Sequence, residues 1–253
     1  MSNKDEPASS DTEPDVAGVT VSEGKELRQC VCQKRDNGDH HVLNLILNQS
    51  EGFPFMVGSS ESTITHLHPP GVRIFQLWQV YINNVNPLLK ITHIPTLQPK
   101  IVDASVDSAQ ASRPLEALMF CIYLVAVKSM TDDEVTTTLG EPKALSVARF
   151  NEACQHGLLN AGLIKSNNIM VLQAFVLYLL SEGREVDTRT LSCWIGIAVR
   201  MAIHLRLHRD GYRLGLSPFE TEQRRRLWWQ LVALDKRIAF SPQLLTELHS
   251  RLH

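Results

Sequence analysis

Cysteine is scarce and odd in number. The five residues, Cys30, Cys32, Cys121, Cys154 and Cys193, show no spacing that marks an extracellular disulfide framework. Three of them sit in apolar or amphipathic runs, where a free thiol behaves as a small hydrophobe. Long hydrophobic runs are missing as well. The longest, "ALMFCIYLVAV" at 117–127, is too short to cross a bilayer. The opening "MSNKDEPASSDTEPD" is polar and acidic and has no apolar core of the kind a signal peptide needs. Neither sign of charge dominates: the formal net charge is −2, so any attraction to nucleic acid or an anionic membrane must be local. These absences predict an intracellular, reduced, soluble protein with no membrane partner. The sequon Asn48-Gln49-Ser50 is then a chance match.

What is present falls into two parts. Residues 1 to about 40 are rich in Asp, Glu, Ser and Pro, too polar to offset the entropy of ordering, and are expected to be disordered. A short apolar patch, "HVLNLILNQ" (41–49), suggests a helical turn or two before a loop-like stretch, so 1–71 reads as a mostly disordered arm with loops. From 72 the pattern turns helical, and nothing alternates with period two. Ile74, Leu77, Trp78, Tyr81, Ile82 and Val85 share one helix face, with Asn86-Pro87 as the expected stop. "PLLKITHIPTLQPKI" reads as a Pro-punctuated connector. "RPLEALMFCIYLVAVKSM" (113–130) is apolar nearly all round and belongs in the core. Thr131-Asp132-Asp133-Glu134 has the spacing of a capping box. Helices are predicted to end near Gly162 and Gly183. Another carries the stripe Leu191, Trp194, Ile195, Ala198, Ala202 and Leu205 and is expected to end at Gly211. The expectation is an all-α domain over 72–253, multi-helix, with no internal repeat.

One stretch pulls in two directions. "SPFETEQRRRLWWQLVALDKR" (217–237) sets three arginines against two tryptophans, a mixture found on nucleic-acid surfaces and in protein interfaces alike. Ser217-Pro218-Phe219-Glu220 is a helix start, and Leu227, Leu231, Leu234 and Ile238 form a stripe to be buried. Glu220 precedes Arg224 by four residues and Glu222 precedes Arg226 by four, the favourable order for ion pairs within a helix. The run is therefore expected to build the fold rather than touch DNA.

The same residues carry a resemblance. "LWQVYINNVNPLLKITHIPTLQ", "RPLEALMFCIYLVAVKSM", "WIGIAVRMAIHLRLHRDG" and "LSPFETEQRRRLWWQLVALDKR" follow one another as in the fungal-specific transcription factor domain. That domain is the helical, regulatory middle region of binuclear zinc-cluster regulators, and the resemblance spans roughly 72–240. It implies a nuclear regulator of fungal metabolic or secondary-metabolite genes. In the family a separate cluster of six cysteines holds two zinc ions and reads DNA. Five cysteines, with Cys30-Val31-Cys32 as the only close pair, cannot supply that set. DNA contact is therefore expected to come indirectly, through a protein partner such as a complete zinc-cluster factor. The chain also stops soon after the Arg-Trp helix, which reads as a C-terminal truncation.

Other constellations have simpler readings. His204 and His208, four apart on a helix face, lack the glutamate of the catalytic zinc motif and the further ligands of a structural site. His40-His41 falls in the segment expected to be disordered, and His66 and His68 in a loop, so neither pair is read as a metal site. Asp132-Asp133-Glu134 suggests a magnesium site, but the capping box explains it more simply. The nine Arg or Lys at 200–237, against four acids, face an acidic stretch at 1–24, a pattern that solvated charge explains. There is no phosphate-binding glycine loop, no GxSxG elbow and no nucleophile–base pair. No catalytic, cofactor-binding or metal residue is assigned, and no cofactor is expected. A small-molecule effector in an interhelical pocket is compatible with the pattern. The competing readings are a helical enzyme or metabolite-binding protein using the acidic triplet, and a non-functional regulator fragment.

Overall fold

A helix that is apolar on every side must be wrapped by others. In the computed structural model, which describes residues 63–239, that helix is Arg113–Ser129. Every residue from Leu115 to Val127 is buried. Among the described residues the regular structure is entirely helical, as the periodicities require. The eight helices longer than one turn are α1 (Gly71–Val80), α2 (Ile94–Val106), α3 (Arg113–Ser129), α4 (Asp132–Leu139), α5 (Lys143–Asn160), α6 (Ile169–Glu182), α7 (Thr188–His204) and α8 (Pro218–Ala239). The expectations placed on the arm, on the 41–49 patch, on Cys30 and Cys32, and on His40-His41 lie outside the described residues.

Helices α1, α5 and α6 pack around α3. From α5 come Phe150, Ala153, Cys154, Gly157 and Leu158, one face at helical spacing. Gly157 lets the two helices come close, since a Cβ would stand 3.1 Å from the Ala117 backbone of α3. Helix α6 is buried through Val171–Leu179, and α7 lies between it and α8, with Tyr178 against Trp194 at 6.2 Å. Two charges on α3 are answered. Lys128 donates to the Ser181 carbonyl (3.0 Å) and to Glu182 (2.9 Å), and also pairs with Glu185, placing a cation at the carbonyl end of α6. Glu116 accepts from the Thr65 hydroxyl at 3.2 Å and lies 3.7 Å from His68 Nε2.

Helix ends follow their caps. Thr131 and Glu134 make both bonds of the capping box: the Glu134 amide donates to the Thr131 hydroxyl (3.3 Å) and the Thr131 amide to Glu134 (2.7 Å). Asn168 and Asp187 accept from the first amides of α6 and α7. Past α5, Gly162 turns left-handed (φ 65°), and the Leu163 and Gly162 amides donate back to the Leu158 and Leu159 carbonyls.

Three local readings need correcting. Asn86-Pro87 does not stop the first helix. A π turn over Tyr81–Val85 is followed directly by an α turn, Asn86–Leu89, with Pro87 near its start, so the helix runs on through the Asn-Pro pair. The Pro-punctuated connector contains a helix, α2. Pro95 sits in its first turn, and Leu97, Ile101 and Ala104 form a buried stripe that outweighs Pro99 inside it. Helix α7 ends at His204 rather than at Gly211. Arg206 takes the left-handed position (φ 60°), with the Leu207 and Arg206 amides donating to Ala202 and Ile203.

Candidate functional site

Two of the segments that carry the resemblance, 200–210 and 217–237, meet at the junction of α7, a short 3-10 turn (Gly211–Leu214) and α8. Helix α8 begins with a capping box of its own. The Glu220 amide donates to Ser217 Oγ (3.2 Å), while the Ser217 amide and hydroxyl donate to Glu220. Leu227, Leu231 and Leu234 are buried and Ile238 is half-buried, as the stripe predicts.

The three arginines do three different things. Arg224 is not held by Glu220, whose carboxylate is engaged in the cap. It crosses to α7 and donates to the Leu205 carbonyl at 2.8 Å, satisfying a group the helix end leaves open. Arg226 donates to Glu222 at 2.8 Å, the expected pair, and that bond holds the Glu222 carboxyl below its ordinary value. Arg225 points elsewhere, to Asp210 (3.5 Å) and Glu222 (3.4 Å), both long contacts on an exposed side chain.

Arg225 lines a cavity of about 230 Å³ between residues 207–211 and α8. Trp228 and Trp229 of α8 and Arg209 and Asp210, which lead into the turn, also line it. Gly211 and Thr221 bring the two walls together. A Cβ at Gly211 would lie 2.5 Å from the Thr221 hydroxyl, so only glycine permits this approach. The Thr221 hydroxyl is buried and has no hydrogen-bond partner.

The histidine pairs come apart. His204 closes α7 and His208 lies beyond its end, so the two do not share a helix face; His208 stands beside Trp228 instead, at 6.2 Å. His66 falls in a 3-10 turn (Thr65–Leu67), while His68 is buried, stacked on Phe120 at 4.3 Å and 3.3 Å from the Tyr123 hydroxyl. Burial, and then the Glu116 charge, push the Tyr123 phenol well above its usual range. Sequence reasoning missed this cluster, because its members lie about fifty residues apart. Asp132 and Asp133 sit in the exposed first turn of α4, Asp132 within 4.0 Å of Lys143. Among the described residues no group of three or more His, Cys, Asp or Glu gathers as metal ligands do. Nor is any described helix long and apolar enough to cross a membrane.

Against known proteins, the family model for the fungal specific transcription factor domain matches residues 78–242. The chain belongs to this family. It is a family of transcription factors, not of enzymes. The chain is 41% identical over 202 residues to the transcriptional regulator nsrM of Aspergillus novofumigatus, an alignment covering 79% of this chain and 28% of that protein. It is 44% identical over 176 residues to the aurofusarin cluster transcription factor aurR2 of Gibberella zeae, covering 70% and 26%. It is 30% identical over 237 residues to the C6 finger domain transcription factor hasF of Aspergillus fumigatus, covering 79% and 31%. The chain thus spans between a quarter and a third of these relatives. No solved structure matches it.

Proposed function

We propose that this chain is the regulatory helical region of a nuclear factor that controls a fungal biosynthetic gene cluster, with DNA contact supplied by a partner such as a complete zinc-cluster factor. The observation that carries the reading is the family match, together with relatives named as transcription factors, aurR2 among them as the factor of a cluster. The geometry of α8 supports the indirect route. Arg224 is engaged with α7 and Arg226 with Glu222, so the helix does not present a row of free guanidiniums to a groove. The domain itself works by binding a protein or a small molecule. Deleting the gene and counting transcripts genome-wide tests this: a coherent set of neighbouring genes is expected to change. Level transcripts under producing conditions overturn it. Unaided, sequence-specific binding of promoter DNA by the purified chain overturns the partner-supplied contact alone.

A further inference from the structure

The cavity at the start of α8 has features that folding does not explain. Trp229 leaves 60% of its surface exposed on the helix that also buries Leu227 and Leu231. Beside it, Arg225 is held only by two long ion pairs, at 3.4 and 3.5 Å, on side chains about half exposed, where such pairs hold weakly. Arg209 lines the same cavity with no ion pair among the described residues. The lining thus carries two guanidiniums, Arg209 and Arg225, and two indoles, with Asp210 in the wall and Glu222 beside Arg225 as the acids nearby. The Thr221 hydroxyl lies enclosed against the Gly211 backbone in the same wall and leaves the ligand contacts to the arginines and indoles.

These groups select a ligand class. Indole faces take flat aromatic rings by stacking, and a guanidinium takes a carboxylate through paired N–H donors. The volume, about 230 Å³, is below the roughly 300–1,000 Å³ that holds a drug-sized molecule, so one or two fused rings fit and larger systems do not. We infer that the cavity is a binding site for a small aromatic carboxylate, its ring against Trp229 and Trp228 and its charge on Arg225 and Arg209. Such a ligand would sit against the turn that joins α7 to α8, where Gly211 and Thr221 hold the two walls in contact. This goes beyond the regulatory reading and rests on binding alone, so its failure leaves that reading standing.

The test is calorimetric titration of the purified chain with 1-naphthoate, alongside 1-naphthamide, which has the same ring and no charge. One saturable site is expected for the carboxylate, with the amide about tenfold weaker or worse. Arg225→Met and Trp229→Ala should each weaken naphthoate by about tenfold while melting as the parent chain does, since both side chains are exposed. Absence of saturation, equal affinity for the amide, or variants that bind unchanged overturn the inference. So does a random-sequence DNA duplex that binds through Arg225 and that naphthoate does not displace. The amide comparison needs no variant and decides the matter even if a substitution unfolds the chain.

Discussion

Replacing Arg224 by alanine leaves the Leu205 carbonyl at the end of α7 without its charged donor. The loss is expected to be about 1–3 kcal/mol in chemical denaturation. The same change at Arg225, next in the chain, is expected to move stability by less than about 0.5 kcal/mol, because its pairs are exposed and long. Sequence spacing also favours Arg224, since it offers an acid four residues back, but it names the wrong partner. Glu220 was the misleading residue. It answers the cap and the ion pair equally well on paper, and the cap wins because two bonds to Ser217 form within the helix's own first turn. Arg206 provides a second residue-scale expectation. A non-glycine residue at φ 60° carries strain, and Arg206→Gly should stabilise the chain by roughly 0.5–1 kcal/mol after the looser unfolded state is counted.

At the scale of elements, the capping box of α4 is the clearest case of local sequence deciding local structure. Thr131→Ala is expected to destabilise by about 1 kcal/mol. Hydrogen bonds from the Thr131 backbone, and then from its side chain, hold the Glu134 carboxyl below its ordinary 4.5. A carboxyl depressed in the folded state contributes stability that is complete above the unfolded value and fades as pH falls through the folded one. Thermal melts of Glu134→Gln and the parent should therefore differ at neutral pH and converge in acid. Helices α7 and α8 were legible because each repeats its apolar residues at helical spacing, and α3 because it is apolar nearly all round over a helix's length. Helix α2 was not. Its stripe of Leu97, Ile101 and Ala104 is present, but Pro95 and Pro99 mask it, and only burial shows that packing outweighs a proline. The end of α7 was missed for a related reason: glycine is the usual left-handed stop, and here arginine takes that place.

Over the whole molecule, aromatic side chains tie the core to its pH range. Burial pushes the Tyr81 phenol up to about 12, partly offset by its hydrogen bond with Thr92, and also raises Tyr123 and Tyr178 well above the usual range. A phenol raised in the folded state contributes stability that is complete below its ordinary value of 10.0 and is lost as pH climbs toward the folded one. The melting temperature should accordingly fall from about pH 10 upward. Phenolate absorbance from these three residues should appear together with loss of the helical circular dichroism, not before it. The all-α class was legible from periodicity. The His68–Glu116–Tyr123 cluster was not, because nothing in "HLHPP" says that a ring from a helix some fifty residues on will stack against it.

The wide turn at Tyr81–Val85 bears on how this gene tolerates change. A π turn holds one more residue than an α turn, so the surplus is stored in the middle of a helix. Elsewhere, losing one codon swings every downstream side chain about 100° around the axis and scrambles the buried face. Here, loss of the exposed Asn83 would convert the wide turn to an ordinary one, leaving Ile74, Leu77 and Trp78 on one side of it and Ile91 on the other still facing the core. In-frame deletion, usually the harshest lesion a helix can suffer, has a place in this chain where it can be absorbed.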